Sequence, residues 1–156
     1  MGKQLMTLRI RKITATSSPR ILVHGQEGVG KTSFAATFPS PVFLQTEDGC
    51  PAGLEIDAFD LIENYSQMLE HLTTLGNEDH DYKTLVIDSL DPLECQIWKQ
   101  ACMDNRWSSI EQPGYGKGYI VVDVYWLELL AAIDYLRRER GMAAVIAGAL
   151  GDREDR

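Results

Sequence analysis

Cysteine is scarce: Cys50, Cys95 and Cys102 are the only three in 156 residues, and no two of them form a C-x-x-C pair. That argues against a disulfide framework, a catalytic thiol or a cysteine-based metal site. Cys95 and Cys102 lie seven apart, a spacing that stacks small buried thiols on one helix face. Histidine offers no ligand set either, since His24, His71 and His80 are scattered. Long apolar runs are also missing. Nothing approaches the ~20 residues of a membrane span, and the N-terminus lacks the apolar stretch of a secretory signal, so a cytoplasmic, non-membrane protein is expected. Basic charge is absent from Thr32 to Tyr82, and acidic charge is absent from residues 1–20, which hold Lys3, Arg9, Arg11, Lys12 and Arg20. The net charge of −8 argues against a surface that coats nucleic acid wholesale. A basic arm over residues 1–19 leaves a local phosphate-backbone contact open, beside the plainer reading of a solvated tail.

What is present is concentrated in Arg20–Thr37, which reads as an apolar strand, a glycine-rich turn and the opening of a helix. Gly25, Gly30, Lys31 and Thr32 fill the pattern G-x-x-x-x-G-K-[ST]. Glycines let successive backbone N–H groups approach a polyphosphate without Cβ clashes, and a helix N-terminus adds partial positive charge. Gly25, Gln26, Glu27, Gly28, Val29, Gly30, Lys31, Thr32 and Ser33 are therefore the candidate nucleotide-binding residues. Lys31 can reach the β- and γ-phosphates, and the Thr32 hydroxyl can ligate Mg²⁺.

The length suits one domain. A first helix is expected from Lys31 to about Phe38, stopped by Pro39, and a buried strand over Pro41–Thr46. Residues 50–63 read as irregular, and Tyr65–Leu75 as a helix capped by Gly76. Lys83–Asp88 reads as a strand, followed by a helix that carries Leu93, Ile97, Trp98 and Ala101 inward. A loop over 104–118 precedes a long helix over Tyr119–Arg140, with Trp126, Leu127, Leu130, Ile133 and Leu136 as its apolar face. Met142–Ala147 is a last strand. Strands alternating with helices give an α/β fold with a parallel sheet and helices on both faces.

Two acids complete a candidate site. Thr84–Asp88 is a hydrophobic strand ending in a carboxylate, the Walker B pattern, so Asp88 joins Thr32 as a candidate Mg²⁺ ligand. Glu47 follows the strand between the phosphate loop and Asp88, where it could orient or deprotonate an attacking water. Lys31 and Glu47 are the candidate catalytic pair; the plainer reading of Glu47 is an exposed acid at a turn.

Together, Gly25–Thr32, Phe43–Gly49 and Val86–Ser89 resemble the RecA-type recombinase core, with similarity to small phage-encoded RecA-like ATP-binding proteins of single-strand annealing. The resemblance covers about residues 18–147. It implies ATP and Mg²⁺ as ligands, a RecA-like parallel sheet, ATP hydrolysis, action in DNA recombination and assembly into homo-oligomers. It also implies that Gln112–Tyr119 faces single-stranded DNA. Glycines interleaved with Tyr115, Lys117 and Tyr119 suit backbone contact and base stacking, although a plain surface loop explains them as well.

The final strand departs from that pattern. It runs into Ala147-Gly148-Ala149-Leu150, with no polar residue where the family commonly carries His. One codon choice for residues 148–155, read one base later, encodes Ala-His-Ser-Glu-Ile-Ala-Lys. An atypical, frameshifted tail over 148–156, a truncated chain and a sheet with an exposed edge are therefore expected beside the alternative of a natural short tail. Two other functions stay in view: a P-loop kinase of a nucleotide or small metabolite, and a non-catalytic nucleotide binder. Kinases of that kind usually carry an arginine-rich lid, whereas Arg137, Arg138 and Arg140 sit at a helix end.

Overall fold

The computed structural model describes residues 10–14 and 17–149. Most of the basic arm and residues 150–156 of the tail lie outside the described residues. In chain order the elements are β1 (Arg20–Gly25), α1 (Lys31–Ala36), β2 (Pro41–Gln45), β3 (Asp57–Ala58), α2 (Tyr65–Asn77), β4 (Thr84–Asp88), α3 (Leu90–Asn105), α4 (Lys117–Glu139) and β5 (Ala143–Ala149). The five strands form one parallel sheet in the order β1-β5-β4-β2-β3. This is the expected α/β architecture, and it seats β5 between the strand that leads into the glycine loop and the strand that ends in Asp88.

Strand alternation divides the core in two. Leu85, Ile87, Val42, Leu44, Ala144 and Ile146 meet the buried faces of α2, α3 and α4. Val86, Phe43 and Val145 point the other way and pack on Ala35 of α1. All five β4 residues are buried, as a central parallel strand covered on both faces requires. Each fully buried leucine or isoleucine in this double layer contributes about 1.5–3 kcal/mol of transfer free energy.

Several local expectations change. Residues 50–63 contain the two-residue strand β3, paired in parallel with Val42 and Phe43. Gly76 does not cap α2. It is buried inside the helix, where a Cβ would stand 3.2 Å from the Tyr135 ring, so its role is close approach to α4. Cys95 is exposed rather than buried, because the inward face of α3 is set by Leu93, Ile97 and Ala101. The inward stripe of α4 runs through Val122, Leu129, Ile133 and Leu136, which leaves Leu127 65% exposed and Leu130 partly so. That helix also begins two residues early, at Lys117. β1 lies at one edge of the sheet, with Leu22 largely exposed. No helix of the described residues is long and apolar enough to cross a membrane.

Candidate nucleotide site

The carboxyl ends of β1, β2 and β4 converge on one cavity of about 480 Å³. From the glycine loop and α1, Glu27, Gly28, Gly30, Lys31, Thr32 and Ser33 line it. From the turn after β2 come Glu47, Asp48, Gly49, Cys50 and Pro51, and Asp88 closes it from β4. Both acids predicted from sequence thus share a cavity with Lys31 and Thr32. Gly25, Gln26 and Val29 complete the loop without lining the space.

The loop holds a shape that side chains resist. Gly28 and Gly30 adopt φ of 75° and 98°, and a Cβ at either would meet no atom within 4 Å, so glycine is required by dihedral and not by room. Lys31 Nζ donates to the carbonyls of Gly25 and Gln26 at 2.8 and 2.9 Å, which keeps its ammonium over the loop. The Thr32 hydroxyl donates to Asp88 Oδ2 at 2.6 Å, across 56 residues of chain. Parity explains the meeting: Asp88 shares its face of β4 with Val86, the face packed on α1.

Register brings in Glu47. Gln45 pairs with Asp88, so the chain segments just beyond both residues leave the sheet side by side. The Thr46 amide donates to the Asp88 carbonyl at 2.9 Å. Thr46 Oγ1 donates to the Ser89 carbonyl at 2.6 Å and accepts from the Ser89 amide at 2.9 Å. Ser89 Oγ then donates to Glu47 Oε1 at 2.7 Å. The Asp88–Ser89 peptide bond is cis. Thr46 and Ser89 fall inside the segments that carry the resemblance, but their pairing depends on strand register, which neither segment shows alone.

The cavity is lined by four carboxylates, of Glu27, Glu47, Asp48 and Asp88, against one cation, Lys31. Among the described residues no group of three or more His, Cys, Asp or Glu is arranged to hold a metal ion. A hydroxyl and a carboxylate 2.6 Å apart instead make a partial, all-oxygen set, the kind that suits Mg²⁺ carrying water and phosphate oxygens.

Other predicted residues lie elsewhere. Tyr115 is fully exposed at φ 51° before α4, whereas Tyr119 sits inside α4, donates to Glu111 and packs edge-on to Trp98. Gly118 is buried where a Cβ would come within 2.0 Å of the Ile110 carbonyl, so close packing accounts for that glycine. Arg137 donates to Ser18 O at 2.9 Å, and Arg140 to Gly76 O and Glu78 O at 3.2 and 2.7 Å. These contacts belong to the opposite end of the sheet from the glycine loop. A second, apolar groove of about 340 Å³ lies between β1, β5 and α4. Its one charged lining residue, Arg20, is paired with Asp134, so it offers no chemistry.

A parallel sheet, a strand–glycine loop–helix unit with its Lys-Thr pair, and a carboxylate at the end of a nearby strand define a P-loop nucleoside triphosphatase domain. Residues 17–154 match the AAA domain family, and the chain belongs to it. Comparison with curated proteins gave no significant match.

Proposed function

We propose that this chain binds ATP with Mg²⁺ in the cavity formed by the glycine loop, Glu47 and Asp88, and hydrolyses it as a RecA-like ATPase. The observation that carries the reading is the 2.6 Å contact of Thr32 with Asp88 in a cavity that also holds Lys31 and Glu47. Backbone amides from Gly28 to Ser33 cradle the phosphates, and the Lys31 ammonium leaves its carbonyl partners for the β- and γ-phosphate oxygens. Thr32 and Asp88 would hold Mg²⁺, which when bound would neutralise phosphate charge. Glu47 orients the attacking water and takes its proton as oxygen adds to the γ-phosphorus and the bond to the β-phosphate oxygen breaks.

Electrostatics supports the metal dependence. Four carboxylates and one ammonium line the cavity, so a triphosphate entering without a divalent cation meets net repulsion.

A role on single-stranded DNA, in recombination or annealing by an assembly of copies, is favoured by one further observation. Tyr115 stands fully exposed between glycines and two residues from Lys117, free to stack on a base. The kinase alternative loses ground because Arg137 and Arg140 are engaged at the far end of the sheet.

The test is steady-state ATP turnover with and without single-stranded DNA, for the wild-type chain, Lys31→Ala and Tyr115→Ala. The expected result is Mg²⁺-dependent turnover that Lys31→Ala abolishes, stimulated by DNA in the wild type and far less in Tyr115→Ala. Turnover that survives Lys31→Ala contradicts the site. Phosphate transfer to a nucleotide acceptor, with no response to DNA, selects the kinase.

A further inference from the structure

Ser89 occupies the N-cap position of α3, where a serine hydroxyl ordinarily accepts from the amide two or three residues on. Here it makes no such bond. The third residue of the helix is Pro92, which has no N–H to offer, so the hydroxyl is released from the commonest capping partner. Instead it donates to Glu47 Oε1 at 2.7 Å.

That donor is itself fixed. Ser89 and Thr46 are both buried, and their reciprocal bonds of 2.6 and 2.9 Å hold the Ser89 backbone against the turn that carries Glu47. Glu47 is exposed, and the hydrogen bond from Ser89 is its one hydrogen bond among the described residues. An exposed glutamate side chain otherwise samples many rotamers. With Oε1 occupied by Ser89, Oε2 remains to accept from water.

We propose that Ser89 is the positioning residue for Glu47, and that Thr46 holds Ser89 to that task. The side chain that turns Glu47 into an oriented base thus follows Asp88 directly, so hydrogen bonds between two neighbouring segments link the metal-holding acid to the water-orienting acid. The proposal rests on the reading of Glu47 as the hydrolytic carboxylate.

The experiment compares the full chain with Ser89→Ala, Ser89→Thr, Thr46→Val and Glu47→Gln. Three-bond couplings report the Glu47 side-chain rotamer without nucleotide, alongside ATP affinity and turnover. The expected result for Ser89→Ala is averaged Glu47 couplings, ATP affinity within about two-fold of wild type, and turnover reduced roughly ten- to a hundred-fold. Ser89→Thr, which keeps the hydroxyl, restores both couplings and turnover. Thr46→Val loosens Glu47 in the same way while Ser89 is intact. A single Glu47 rotamer in Ser89→Ala overturns the proposal, as does undiminished turnover in that variant. If Glu47→Gln turns over like wild type, the catalytic reading of Glu47 falls, and the couplings alone then decide whether Ser89 orients it.

Discussion

The Thr32 hydroxyl donates to the Asp88 carboxylate across 2.6 Å, joining the first turn of α1 to the end of β4. The pair makes Asp88 a structural partner of the loop as well as a charge at its mouth, and the two roles separate in Asp88→Asn. The amide is nearly isosteric and lacks only the charge. With Mg²⁺ present, ATP affinity should fall by about ten-fold or more, equivalent to ~1.4 kcal/mol. Without Mg²⁺ it should be equal or improved, since one of four repelling carboxylates is gone. Calorimetric titration with and without the metal checks the opposed signs; equal losses in both conditions would remove Asp88 from the metal's shell.

Gly30→Ala should destabilise the loop through its backbone alone. At φ 98° with no atom within 4 Å of a new Cβ, the cost is dihedral strain of about 1–2 kcal/mol. Urea denaturation measures it, and a variant as stable as wild type would show that the loop has another conformation available.

Gly118→Ala should destabilise for a different reason. Its Cβ would fall 2.0 Å from the Ile110 carbonyl oxygen, so α4 must shift away from the 106–116 connection. A loss of about 1–3 kcal/mol is expected in the same assay. A loss of DNA binding with no loss of stability would return this glycine to a functional role.

Asp134 links stability to pH. The Arg137 guanidinium, 2.5 Å away, holds its carboxyl below the usual carboxylate range; burial opposes this, and Arg20 at 3.2 Å adds a second cation. Because the folded value is depressed, the contribution is present above the ordinary value of 3.8 and is lost as pH falls through the folded one. The three side chains are partly solvated, so Asp134→Asn should cost no more than about 1 kcal/mol near neutrality. The gap between wild type and variant should close in strong acid, as thermal melts across pH would show. A gap that persists there assigns the loss to packing.

The glycine loop was legible because several of its residues answer a local demand: Gly28 and Gly30 supply positive φ, and Thr32 a hydroxyl at the helix start. Asp88 was legible as the acid that follows the apolar run Leu85–Ile87, and Glu47 as the acid after the neighbouring strand. What escaped depends on tertiary approach. β3 is two residues long and has no period to detect. Gly76 and Gly118 signal special backbone positions, but only the packing of α2 on α4 and of Ile110 on α4 shows that contact, not capping or flexibility, needs them. Helical spacing grouped Leu127 with the core, yet Val122 and Leu129 also share a helix face with Ile133 and Leu136, and packing selects them. Ser89 meets Glu47 because Gln45 pairs with Asp88, a register that no single segment encodes.

The most direct test of the nucleotide site is amide chemical-shift mapping as Mg·ATP is titrated into the labelled chain. The largest shifts should fall on the amides of Gly28, Gly30, Lys31, Thr32 and Ser33, with Glu47 and Asp88 next, and should vanish in Lys31→Ala. Shifts centred on the apolar groove by Leu22 and Leu130, or none at all, would contradict the account.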